Sequence, residues 1–81
     1  MFYMYILRNE KDSFYIGTTN NIDKRIKQHN SHQSNYTRNR GPWELVYEEE
    51  FQSRSEAIKR EYYLKSQKSK KYLNSLIASK S

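Results

Sequence analysis

An α+β fold of the sandwich-like kind, a small three-stranded antiparallel sheet flanked by helices in the order β-β-α-β-α-α, is predicted by three observations. Two runs of strand length, rich in aromatic and β-branched residues, are split only by a short polar turn. Apolar residues recur at helical spacing behind capping residues in two later segments. Between those segments lies a third run that alternates apolar and polar residues.

The elements follow in order. Residues 2–7, Phe-Tyr-Met-Tyr-Ile-Leu, read as a strand; Asn9 to Ser13 is a polar turn; residues 14–17 form the second strand of a hairpin. Asn20 or Asn21 supplies an N-cap, after which Ile22, Arg25, Ile26 and His29 share one helix face. From Asn30 to Pro42 the chain is polar and ends in Gly41-Pro42, which punctuates a loop. Simple alternation in the third strand puts Trp43, Leu45 and Tyr47 on one face and Glu44, Val46 and Glu48 on the other. Ser53 followed by Glu56 is a capping-box signature, so a helix should start at Arg54, with Ala57, Ile58, Glu61 and Leu64 facing inward. Tyr72, Leu73, Leu76 and Ile77 mark a last helix over 69–78.

Eighty-one residues bury only a modest core, so a single domain over 1–81 is expected. Fifteen Lys and Arg against nine Asp and Glu leave a formal charge of +6, which points to a polyanionic partner. No apolar run approaches the length of a membrane span, and the basic residues are scattered, so nucleic acid is a better partner than a membrane. The first eight residues are too short and too soon interrupted by charge for a signal peptide, and a cytoplasmic location is expected. With no cysteine, any metal site must use carboxylate or imidazole, which favours a hard cation such as Mg²⁺ or Mn²⁺.

Three residues break the pattern of apolar packing. Arg25 and His29 lie on the same helix face as Ile22 and Ile26, and Glu61 falls where Ala57, Ile58 and Leu64 predict an apolar residue. A buried carboxylate is costly unless it is paired or bound to metal. A structural Arg25–Glu61 ion pair with a satisfied histidine beside it would account for these three residues alone. Tyr5 and Tyr15 add to them, because in an antiparallel pair they can stand opposite or diagonal on one face. Each tyrosine taken singly is equally well explained as core filling.

The combined spacing is more specific. Tyr5, then Tyr15-Ile16-Gly17, then Arg25 and His29, with Glu61 on a later helix, resembles the GIY-YIG nuclease domain superfamily in its small bacterial stand-alone members. Pro42-Trp43-Glu44-Leu45-Val46-Tyr47 and Arg54-Ser55-Glu56-Ala57 are similar to linking segments there, so the resemblance runs over nearly the whole chain. The first triplet differs, reading Tyr3-Met4-Tyr5 in place of Gly-Ile-Tyr. In the loop, Asn35 stands where related small proteins often have lysine.

The resemblance implies metal-dependent hydrolysis of phosphodiester bonds with one divalent cation, Mg²⁺ or Mn²⁺, held by Glu61. It implies Tyr15 as general base assisted by His29, Tyr5 hydrogen-bonded to the phosphate or the water, and Arg25 stabilising the charge of the transition state. DNA is expected in preference to RNA, with a role in DNA repair or recombination, and with targeting left to a protein partner as one option.

Arg38, Arg40, Lys68, Lys70 and Lys71 are the candidates for gripping the strand, Tyr36 for stacking on a base, and Asn30 for a supporting hydrogen bond. A non-cleaving nucleic-acid-binding module of the same fold is the alternative, and a binder of acidic protein a third reading. The binder alternative leaves an inward glutamate without a purpose, and the third reading leaves the spacing unexplained.

Overall fold

The computed structural model of the protein describes residues 1–31 and 41–80. The elements are β1 (Phe2–Arg8), β2 (Phe14–Thr19), α1 (Ile22–Asn30), β3 (Glu44–Phe51), α2 (Arg54–Gln67) and α3 (Lys70–Lys80), in the expected order. The strands form one antiparallel sheet ordered β2-β1-β3, with β1 in the centre.

The hairpin turn is closed by Asn9. Its side-chain oxygen accepts from the backbone N–H of Lys11 at 3.0 Å and of Ser13 at 2.9 Å, while Asp12 takes up a left-handed conformation with φ 59°. Asn21, the second of the two expected candidates, caps α1 by accepting from the N–H of Lys24 at 3.1 Å. Ser53 caps α2: its hydroxyl accepts from the N–H of Glu56 and donates to the Glu56 carboxylate.

Alternate residues of β1 serve two different layers. Met4 and Ile6 pack with Ile16, Tyr47, Leu64 and Leu73 beneath α2 and α3. Tyr5 and Leu7 pack with Trp43, Tyr15, Leu45, Ile22 and Ile26 beneath α1. Met4, Ile6 and Leu7 are fully buried, and each such side chain contributes about 1.5–3 kcal/mol.

The expected alternation of β3 needs correction. Ile6 pairs with Tyr47 but Leu7 pairs with Leu45, so Val46 is an extra residue in a β-bulge. Because the side-chain period is two, one extra residue reverses every face beyond it. Leu45 thus joins Tyr5 and Leu7, as expected with Trp43, whereas Tyr47 packs on the opposite face together with Val46. Glu48 lies across from Tyr5, and Glu49 across from Met4.

The Glu49 carboxylate takes the Arg60 guanidinium through bonds of 2.9 and 3.2 Å and accepts from the Tyr47 hydroxyl, tying β3 to α2. β3 is an edge strand, and Glu44 and Glu50 lie exposed on it. Among the described residues no helix is long and apolar enough to cross a membrane.

Candidate active site

The site lies on the α1 face of the sheet and begins with a missing side chain. Tyr5 on β1 stands directly across from Gly17 on β2. A Cβ at Gly17 would lie 2.6 Å from the Tyr5 hydroxyl, 2.8 Å from its Cζ and 3.0 Å from a ring carbon of Tyr15. Glycine here lets the Tyr5 ring lie flat across the hairpin. Tyr15 pairs with Leu7 and is therefore diagonal to Tyr5 on the same face, with ring centroids 6.2 Å apart.

α1 lays Arg25 and His29 over these rings, four residues apart on one helix face. Arg25 donates from Nε to the Tyr5 hydroxyl at 3.2 Å and from Nη1 to the Gln28 side-chain oxygen at 3.0 Å. The Tyr5 hydroxyl lies 2.8 Å from His29 Nε2, and the Tyr15 ring sits 4.6 Å from the imidazole. A guanidinium can only donate, so the Tyr5 oxygen accepts from Arg25, while the direction of its bond to His29 Nε2 depends on the imidazole tautomer.

Burial fixes the protonation of the group. Desolvation pushes the Tyr5 phenol up to about 12, against the opposing pull of Arg25, and the charge of Glu61 adds to the rise. Burial, then the nearby Arg25 charge, holds His29 down at about 4, so the imidazole is neutral at pH 7. Arg25 loses solvation, yet its bonds to Tyr5 and Tyr15 outweigh that loss and raise its pKa. Tyr5 is 1% exposed, whereas Tyr15 is half-buried and keeps contact with solvent.

Glu61 comes from α2, which packs against β2 and β1. Its charge acts on Tyr5, which places the carboxylate in the field of the site. Among the described residues the ion pairs are Arg60–Glu49 and Lys65–Glu61, so Arg25 and Glu61 do not form the structural pair that would have made the site ordinary packing. The Glu61 side chain is 14% exposed, with Oε2 2.5 Å from Lys65 Nζ and Oε1 without a hydrogen bond among the described residues.

No group of three or more His, Asp or Glu gathers among the described residues. A lone carboxylate with an available oxygen suits Mg²⁺ or Mn²⁺, which keep water and substrate oxygens in most of their coordination positions.

The structure thus brings Tyr5, Tyr15, Arg25 and His29 together, and the charge of Glu61 reaches Tyr5 from α2. Asn30 has another task. Its amide donates to the Trp43 carbonyl at 3.2 Å and accepts from the Trp43 N–H at 2.7 Å, fastening α1 to the start of β3. Lys68, Lys70 and Lys71 are exposed around the α2–α3 junction. Tyr36, Arg38 and Arg40 lie outside the described residues. Sequence reasoning missed Gln28, three residues beyond Arg25 on the same helix, and Lys65, one turn beyond Glu61; the spacing alone was the available signal.

Comparison with known proteins bears on the same residues. The model of the GIY-YIG catalytic domain matches residues 1–74, which include all five site residues. A UPF0213 protein of Clostridium perfringens is 53% identical over 66 residues, covering 80% of this chain and 71% of its own. A UPF0213 protein of Limosilactobacillus reuteri is 44% identical over 69 residues, covering 82% and 72%. The solution NMR structure of the UPF0213 protein BH0048 from Bacillus halodurans superposes with a TM-score of 0.61 at 40% identity, covering 99% of this chain and 86% of that one. Such a domain supports nuclease-like chemistry on nucleic acid. By sequence and by three-dimensional arrangement, the chain belongs to the GIY-YIG catalytic domain family.

Proposed function

We propose that the protein is an endonuclease that hydrolyses phosphodiester bonds in nucleic acid, DNA in preference to RNA, with one divalent cation at Glu61, and that it serves DNA repair or recombination. The observation that carries this reading is the Tyr5 hydroxyl held between Arg25 and His29, with the Tyr15 ring against the same imidazole. Packing alone would not require an arginine, a histidine and two tyrosines to converge beneath a helix.

The residues divide the work. Tyr5 stays protonated at neutral pH, because burial holds its pKa near 12, so it orients its neighbours and does not accept a proton. It holds the His29 ring and the Arg25 guanidinium in place by hydrogen bonds. Tyr15 keeps contact with solvent and takes the place of general base towards the attacking water, with the neutral His29 imidazole 4.6 Å from its ring to accept the proton onward. Arg25 offers its charge to the phosphate as negative charge builds in the transition state. Mg²⁺ or Mn²⁺ on Glu61 would neutralise and polarise the phosphate as a Lewis acid. Lys68, Lys70 and Lys71 hold the strand by its backbone.

The test is cleavage of a panel of DNA and RNA substrates, including forks, flaps and junctions, with Mg²⁺ or Mn²⁺. Wild type should give products that both Glu61→Ala and Tyr15→Phe lose. Salt-sensitive binding with no cleavage by wild type would favour the non-cleaving module.

A further inference from the structure

We propose that the lysine-lined cleft between β2, α2 and α3 is a subsite for a backbone phosphate of the bound strand, and that Lys65 moves to it from Glu61 when the divalent cation arrives. This rests on the reading of Glu61 as the cation ligand.

Two observations connect the same side chain with both stations. Lys65 Nζ lies 2.5 Å from Glu61 Oε2, and Lys65 also lines a cleft of about 280 Å³ with Lys68, Lys70, Ser69 and Phe14. Among the described residues no acidic side chain lines that cleft. Three cationic side chains around one cavity repel each other unless an anion joins them, and a phosphodiester oxygen is the anion a basic nuclease domain meets. The Phe14 ring gives the cleft an apolar wall against which a sugar or base can lie.

The Glu61 station is temporary by its chemistry. In the cation-free protein the ammonium neutralises a carboxylate that is 14% exposed, reaching it from a side chain that is 50% exposed. A glutamate one turn before a lysine is the favourable order for such a pair, yet an exposed pair of this kind is weak and readily broken. A divalent cation on the carboxylate would repel an ammonium already there. Lys65 is therefore released as the cation binds, and the adjoining cleft receives it. Cation and strand then assist each other, because the strand phosphate draws away the competitor of the cation.

The experiment compares wild type with Lys65→Met, Lys68→Met, Lys70→Met and Glu61→Gln, each checked for native circular dichroism. Binding of MnCl₂ alone is followed by electron paramagnetic resonance. Binding of a fluorescein-labelled oligonucleotide, single-stranded and duplex, is followed by anisotropy with and without CaCl₂ across a salt series.

Lys65→Met should bind Mn²⁺ about two- to fivefold more tightly, the range that loss of an exposed ion pair supports, and should lose the strengthening of oligonucleotide binding by Ca²⁺. Lys68→Met and Lys70→Met should leave Mn²⁺ affinity unchanged while each lowers the salt slope by about one.

Unchanged Mn²⁺ affinity in Lys65→Met, with Mn²⁺ binding lost in Glu61→Gln, would overturn the exchange while leaving Glu61 as ligand. Oligonucleotide affinity and salt slope unmoved in Lys68→Met and Lys70→Met, or no oligonucleotide binding by wild type, would overturn the phosphate subsite. Wild-type Mn²⁺ affinity in Glu61→Gln would sink the underlying reading itself.

Discussion

The two faces of β1 differ in what they ask of neighbouring residues. On one face Met4 and Ile6 pack among apolar side chains and aromatic rings from α2, α3 and the flanking strands. On the other, one residue away, Tyr5 meets an arginine, a histidine and a second tyrosine. Both faces are equally buried, with Met4 and Ile6 at 0% and Tyr5 at 1% exposure. Burial therefore does not separate packing from chemistry in this domain. The separation lies in whether the buried group has polar partners whose geometry a hydrophobic core would not need.

Substitutions on the two faces should separate accordingly. The largest effect is expected for Glu61→Ala, which should abolish cation-dependent cleavage while changing unfolding free energy by no more than about 0.5 kcal/mol. Activity assays set beside chemical denaturation check this, and loss of the fold would return Glu61 to a structural role. Leu64→Ala opens a cavity in the packing face and should cost about 2–5 kcal/mol by denaturant titration, with cleavage lost only as far as the protein unfolds.

Gly17→Ala joins the two readouts: its methyl must displace a Tyr5 ring that two hydrogen bonds hold. It should cost about 1–3 kcal/mol and lower cleavage in the fraction that remains folded.

A smaller effect belongs to pH. The unfolded chain binds a proton at His29 near its ordinary pKa of 6.5, while the folded chain resists until about 4. Stability should then fall as pH drops through that window and level off below it, and His29→Gln should remove that part of the slope in thermal melts. The smallest change is expected for Arg60→Met on the packing face. Its pair with Glu49 is 28% and 22% exposed, so the loss should be about 1 kcal/mol or less, with cleavage unchanged.

Much of this was legible in the sequence because local rules govern it. The polar turn from Asn9, the capping residues Asn21 and Ser53, and the placing of Arg25 and His29 on one helix face all follow from short-range chemistry. The reversed faces of β3 did not, because a bulge at Val46 is set by pairing with β1 and leaves a sequence that still reads as plain alternation. The tie that Asn30 makes to Trp43 was not legible for a related reason. The partners of its amide come from the return of the chain at Trp43, which no local rule around Asn30 shows. Lys65 was overlooked because the turn after a glutamate so often carries a lysine for helix stability alone.

The glutamates of β3 have a consequence of a different kind. The chain carries +6 overall, yet Glu44, Glu48, Glu49 and Glu50 concentrate negative charge on a single edge strand, while Lys65, Lys68 and Lys70 gather beside the opposite edge, β2. The molecule is thus an electric lever as well as a cation. A polyanion approaching the molecule would exert a torque on these described charges that turns β3 outward and β2 inward before contact.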